Sequence, residues 1–220
     1  MEIIKYSNIG CREINQDCLA SLSFDHDKSI HIVADGIGGY DCGEIASKIV
    51  CESYIHGLVN NLSIDEVTKE VSKNIQTECR NLGVSKMGST VAAVVLNGLQ
   101  ASIFWAGDSR VYVFRDKHLL YQTEDHSLLN ELSRVRELSF DEKKRYKHII
   151  TRSIMGNADD KVDHDNLELC FGDEILICTD GMYNEYPIDY LIESIRMDKL
   201  DIEKKNDSFT DNHSFIYILL

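Results

Sequence analysis

Eight short runs rich in β-branched, aromatic or leucine residues, broken twice by paired segments of helical spacing, are the feature that most constrains how this chain can fold. The runs cover 19–24, 30–34, 90–96, 101–106, 111–114, 118–122, 175–178 and 215–220, and runs of this length and composition predict strands. Segments 43–62 and 63–82 carry helical spacing, and in the second Ile64, Val67, Val71, Ile75, Cys79 and Leu82 share one stripe. Ser63-Ile64-Asp65-Glu66 has the residue types of a capping box, in which hydroxyl and carboxylate each accept the other's backbone N–H. Further helices are predicted over 126–138, over 140–147 behind a second signal from Ser139 to Glu142, and over 187–197 with Pro187 near the first turn. Strands and helices segregated in this way predict an α+β layered fold with largely antiparallel sheets, since regular βαβ alternation is absent.

The chain has 220 residues, a single proline and no linker-like stretch, so it reads as one domain, 1–220. Its 23 Lys and Arg against 37 Asp and Glu give a formal net charge of −14, which opposes nonspecific attraction to nucleic acid or anionic lipid. Cys11, Cys18, Cys42, Cys51, Cys79, Cys170 and Cys178 contain no C-x-x-C pair and are expected to be reduced core residues. The opening MEIIKYSNIGCREINQD has no basic segment followed by an apolar stretch, and the expectation is a soluble, cytoplasmic protein.

Five aspartates stand beside predicted strands: Asp17 before one, Asp35, Asp108 and Asp180 after others, and Asp211 before the last. Carboxylates so placed are held by rigid backbone yet project into the loop layer, where distant positions can converge on a cation. Gly36 and Gly181 follow two of them, and Asp-Gly is ordinary turn chemistry when met singly. Carboxylate and carbonyl oxygens suit Mg²⁺ or Mn²⁺. Competing motifs fail: Asp41 stands where a dinucleotide fingerprint needs glycine, no phosphate-binding P-loop occurs, Asp163-x-Asp165 lacks the rest of a calcium loop, and Ser109 is outside any G-x-S-x-G elbow.

The ordered set Arg12-x-x-Asn15-Gln16-Asp17, Asp35-Gly36-Ile37-Gly38-Gly39 with Gly43-Glu44-x-Ala46-Ser47, Gly88-Ser89-Thr90, Gly107-Asp108-Ser109-Arg110-x-Tyr112, Asp125-His126-Ser127, Ile150-Thr151-Arg152-x-x-x-Gly156, Asp180-Gly181-Met182 and Asp211-Asn212 resembles the metal-dependent protein phosphatases of the 2C class. The likeness is greatest to the small bacterial members, and it runs in the family's motif order over nearly the whole chain.

This resemblance implies a four-layer α-β-β-α sandwich of two mainly antiparallel sheets flanked by helices, with a two-metal cleft at one end. It implies hydrolysis of phosphoserine and phosphothreonine in proteins by a metal-bound hydroxide, without a covalent phosphoenzyme. Asp35, the Gly36 carbonyl, Asp180 and Asp211 are then expected to hold two Mg²⁺ or Mn²⁺ ions, with Asp35 bridging them and Asp17 holding metal-bound water. Asp108 with Asp180 would hold a third, weaker ion, and Arg12 would bind phosphate. Two cations about 3.5–4 Å apart can activate water and neutralise developing charge, while a planar guanidinium takes two phosphate oxygens at once. Implied partners are phosphorylated proteins and a cognate Ser/Thr kinase, with no nucleic acid and no membrane, and the chain is expected to be a monomer.

Several positions depart from the family pattern. Tyr40 stands where bacterial members commonly carry His, and Ile37 where animal-type members do, so the usual proton donor has no counterpart. The segment between Asp180 and Asp211 is short, and Phe209-Thr210 replaces a Gly-Gly pair; Asp207 competes for the role of Asp211, but the strand after residue 214 favours Asp211. Residues 126–152 correspond to a flap bearing Arg134, Arg136, Lys143, Lys144 and Arg145, whose simplest reading is a solvated surface, the alternative being attraction of acidic substrates. His126 is expected to orient the loop that follows it. The alternative function is a catalytically weak or inactive phosphatase-fold binding module.

Overall fold

The computed structural model describes residues 1–37, 42–200, 202 and 208–220. Among these, ten strands pair antiparallel into two five-stranded sheets. One sheet has the order β2 (Asp17–Asp25), β3 (Lys28–Asp35), β4 (Val91–Asn97), β5 (Gln100–Ala106), β8 (Asp163–Glu168). The other has β1 (Glu2–Asn8), β10 (His213–Leu219), β9 (Glu174–Cys178), β6 (Arg110–Arg115), β7 (His118–Gln122). Helices α1 (Gly43–Val59) and α2 (Ile64–Leu82) lie on the first sheet; α5 (Asp180–Glu185) and α6 (Ile188–Arg196) lie on the second; α3 (Leu128–Ser133) and α4 (Phe140–Tyr146) form the flap.

Side-chain alternation along the inner strands builds three cores and hence four layers. Ile30, Ile32 and Ala34 of β3 and Val91 and Ala93 of β4 pack with Val50, Tyr54, Val67 and Val71 of α1 and α2. Their neighbours Val33, Ala92 and Val94 meet Val111, Val113, Ile175, Ile177, Ile216 and Ile218 between the sheets. Tyr112, Phe114, Leu176, Phe215 and Tyr217 turn the other way, onto Met182, Leu191 and Ile192. Each isoleucine fully buried this way contributes about 2 kcal/mol. Burial on both faces is why these strands are unbroken apolar runs in the sequence.

Both capping boxes form: Glu66 N–H donates to Ser63 Oγ at 3.3 Å and Ser63 N–H to Glu66 Oε2 at 2.9 Å, with the same exchange between Ser139 and Glu142. The helix predicted over 126–138 contracts to α3, and neither α3 nor α4 contains a buried residue; a short helix without tertiary packing has little to extend it. Pro187 caps α6 from outside. None of the seven cysteines is in a disulfide, and the expectation that they are core residues holds only for Cys51 and Cys178; Cys11 and Cys170 are exposed. Among the described residues no helix is long and apolar enough to cross a membrane.

Candidate metal and phosphate site

The five aspartates come together at one end of the sandwich. Asp17 opens β2 and stands opposite Asp35, the last residue of β3; Asp108 lies in the β5–β6 turn, Asp180 begins α5 and Asp211 precedes β10. Arg12, Asp35, Gly36, Asp108, Asp180 and Asp211 line a cavity of about 430 Å³, together with Gln16, Ile37, Thr90, His148, Ile150 and Asn212. Asp17 lies behind it, its Oδ2 accepting from Thr179 Oγ1 at 3.1 Å.

Polar residues around the aspartates fix their backbone. The Asp35 carbonyl accepts from Thr90 N–H at 2.8 Å and from Ser89 Oγ at 2.9 Å, and Thr90 Oγ1 bonds Ser109 Oγ at 2.7 Å, which ties the Asp35 and Asp108 loops together. Asn212 donates from Nδ2 to the carbonyls of Ile9 and Ile14 and accepts Gln16 N–H at 2.8 Å, so the loop bearing Arg12 is stapled to β10. The glycines after Asp35 and Asp180 serve close approach and not a left-handed turn. A Cβ on Gly36 would stand 2.3 Å from the Gly43 carbonyl oxygen, and one on Gly181 2.0 Å from that of Asn212.

Electrostatically the cluster is compensated only in part, by Arg12 against Asp211. Burial, with Asp180 and Asp211 nearby, pushes the Asp17 carboxyl up to about 7, against hydrogen bonds from Ser214 and Thr179. Burial and then Asp180 push Asp108 up to about 7 as well. Burial and four neighbouring aspartates raise Asp35 well above the ordinary range, and burial and Asp211 raise Asp180. Asp17 Oδ1 is buried with no hydrogen-bond partner. Arg12 lies at the rim, 2.8 Å from Asp211 Oδ2.

Among the described residues no three His, Cys, Asp or Glu side chains are placed so that together they could hold one ion; the carboxylates surround an open cavity instead. Crowded, desolvated carboxylates with an orphaned oxygen are a fit for divalent cations, which would remove the penalty of ionising them. An all-oxygen donor set fits Mg²⁺ or Mn²⁺ in particular.

The flap joins beside this cavity. Its neck is closed by a bridge between Ser127 and Ile150 and by bonds of 2.8 Å from Leu128 N–H to the Ile149 carbonyl and from Thr151 N–H to that of His126. His126 is a strut: its Nδ1 accepts Gly107 N–H at 3.1 Å, leaving Nε2–H to face Asp163 Oδ2 at 3.0 Å, and its ring stacks on Trp105. Arg134 and Arg136 are spent in exposed pairs with Glu124 and Glu142, as a solvated surface would have them.

Thr179, Tyr183 and His148 are site residues that the sequence did not single out. Tyr183 donates to the Asp108 carbonyl at 2.9 Å beneath the guanidinium of Arg110, which grips Asp125 at 2.7 and 2.6 Å. Thr179, directly before Asp180, carried a local signal in its neighbour; the others carried none. Tyr40 and Asp207 lie outside the described residues.

Comparison with known proteins places the fold. Serine/threonine phosphatase stp of Listeria monocytogenes is 29% identical over 216 residues, covering 90% of this chain and 83% of its own. The solved serine/threonine phosphatase PstP/Ppp of Mycobacterium tuberculosis superposes with a TM-score of 0.84 at 21% identity, over 100% of this chain and 98% of that one. A structure of the PstP catalytic domain in complex with 2 manganese ions gives 0.81 at 21% identity, over 98% and 96% of the chains. The family profile described as Protein phosphatase 2C matches residues 6–208, so the chain belongs to that family.

Proposed function

We propose that this protein hydrolyses phosphoserine and phosphothreonine esters in other proteins at a two-metal centre. The observation that carries the proposal is the set of crowded, mutually repelling aspartates, buried or half-buried around one cavity, with Asp17 Oδ1 unpartnered behind it and a guanidinium at the rim. Membership in the protein phosphatase 2C family supports the chemistry, and the manganese-bound PstP structure supports the need for a divalent ion. Asp35, the Gly36 carbonyl, Asp180 and Asp211 would hold two Mg²⁺ or Mn²⁺ ions, with Asp17 supporting from behind; Asp108 with Asp180 would hold a third, weaker ion. When bound, the ions supply charge neutralisation for the phosphate and water of raised acidity.

The protein's own residues bind and orient. Arg12 is more than half exposed and bonds only Asp211 among the described contacts of its side chain; with the charge of Asp211 met by a cation, the guanidinium would be free to take two phosphate oxygens. Asn212 and Asn15 hold the Arg12 loop and the start of β2 in register, which keeps that arm aimed at the cavity. On this reading residues 1–220 act as one monomeric catalytic domain on phosphorylated proteins, opposing a Ser/Thr kinase. The test is turnover of a phosphothreonine peptide and of p-nitrophenyl phosphate with Mn²⁺, with Mg²⁺ and with chelator, beside Asp180→Asn. Ion-dependent turnover that disappears in the variant is the expected result; no turnover with either ion by folded protein would overturn the enzyme reading.

A further inference from the structure

Expelling the side-chain oxygen is the demanding part of cleaving a phosphoserine or phosphothreonine ester, because an aliphatic alkoxide leaves readily only if it gains a proton as the P–O bond breaks. Most groups lining the cavity are unsuited to give one. Arg12 stays charged throughout the accessible pH range, the aspartates are the groups a cation would keep ionised, and Ile37 and Ile150 are apolar. His148 is the one lining residue, among those described, with a ring nitrogen able to carry a proton and hand it on.

Its position suits the task. His148, Ile37 and Ile150 line both the aspartate cavity and a second one of about 660 Å³ that runs along 149–161. His148 therefore stands where the two cavities meet. In an in-line displacement the attacking and departing oxygens lie on opposite sides of phosphorus. With the attack coming from the aspartate floor, the departing oxygen and the peptide attached to it point toward this junction. The backbone beside His148 is held on both sides, by Ile149 N–H to the Tyr146 carbonyl at 3.2 Å and by the flap-neck bonds of Ile149 and Ile150. The imidazole is exposed and hydrogen-bonds no described side chain, so it is available to substrate.

We propose that His148 gives the proton to the departing serine or threonine oxygen, a role that rests on the phosphatase reading above. The P–O bond to the side chain breaks, its electron pair stays on that oxygen, and the oxygen takes the proton from an imidazolium N–H. The water oxygen forms the new P–O bond, its proton passing to solvent, and water returns a proton to the imidazole.

The test compares the wild type with His148→Ala and His148→Gln, in Mn²⁺, on a phosphothreonine peptide and on p-nitrophenyl phosphate, whose phenolate departs without a proton. In both variants kcat on the peptide is expected to fall about 100-fold, and kcat on the aryl ester to fall far less. Peptide affinity, read by fluorescence anisotropy in an Asp180→Asn background, is expected to be the same with and without His148→Ala. Equal losses on both esters, a change confined to KM, weaker peptide binding or no loss at all would each overturn the proposal. A wild type that turns over neither ester would overturn the phosphatase reading instead, so the two failures are distinct. Because His148 is exposed and its side chain hydrogen-bonds no other described residue, both variants are expected to fold.

Discussion

Strand β9 is flanked by carboxylates at both ends, and the two ends treat them in opposite ways. At its start, Asp173 accepts two bonds from Arg115 at 2.9 and 2.7 Å and one from Cys170 N–H at 2.8 Å, and the Arg115 guanidinium holds its carboxyl below the ordinary range. Burial pushes the adjacent Glu174 up, but bonds from Arg196 and from Tyr217 Oη, the latter at 2.6 Å, outweigh it and leave it lowered. Beyond its other end, Asp180 joins four aspartates whose one guanidinium at the rim, among the described residues, is Arg12, and Asp17, Asp35, Asp108 and Asp180 are all raised. The fold evidently can supply an arginine where a buried carboxylate serves structure. Leaving the cavity unmatched is then a property of the site, of the kind that clusters where ligands bind.

The contrast can be broken most forcefully at the unmatched end. Asp35→Asn is expected to cost at least about 1,000-fold in kcat, roughly 4 kcal/mol of barrier, while raising the melting temperature of chelator-treated protein by relieving repulsion. A variant that melts lower than wild type would show that the aspartates do not oppose one another.

A pH series sharpens the same point. Asp17 has a folded pKa of about 7, above its unfolded value, so the metal-free folded state binds the extra proton and loses stability as pH rises through 7. Asp17→Asn is therefore expected to be more stable than wild type at pH 8, by on the order of 3 kcal/mol, with the gap narrowing below pH 7 and closing only near pH 4. Comparing the two proteins by urea unfolding cancels the buried His31, pushed down to about 4 by burial, whose contribution runs the other way. A gap independent of pH would contradict the reading. At the matched end, Arg196→Ala is expected to cost about 2 kcal/mol of stability, between an exposed and a buried pair, with kcat per folded molecule unchanged; a fall in kcat would mean the two ends are coupled.

What the sequence made legible follows the same physics. The inner strands were readable because both faces are buried, and α2 because its cap and stripe are local. β1 and β8 were not read as strands: each is a sheet edge paired on one side only, and β8, Asp-His-Asp-Asn-Leu-Glu, is mostly polar. α5 was hidden because Asp180 was read as the end of a strand and proves also to start a six-residue helix. The aspartates and Arg12 were legible as motif residues, and the structure gathers them. The supporting groups were not, because their partners are remote in the chain: Thr179 meets Asp17 across 162 residues and Tyr183 meets Asp108 across 75.

The most direct test of the central claim is calorimetric titration of Mn²⁺ into chelator-treated wild type and Asp35→Asn, with melting followed in parallel. The expected result is two ions per chain, the number in the manganese-bound PstP structure, with a rise in melting temperature on binding and loss of both in the variant. Wild-type protein that binds no ion and melts at the same temperature with and without Mn²⁺ would contradict the account.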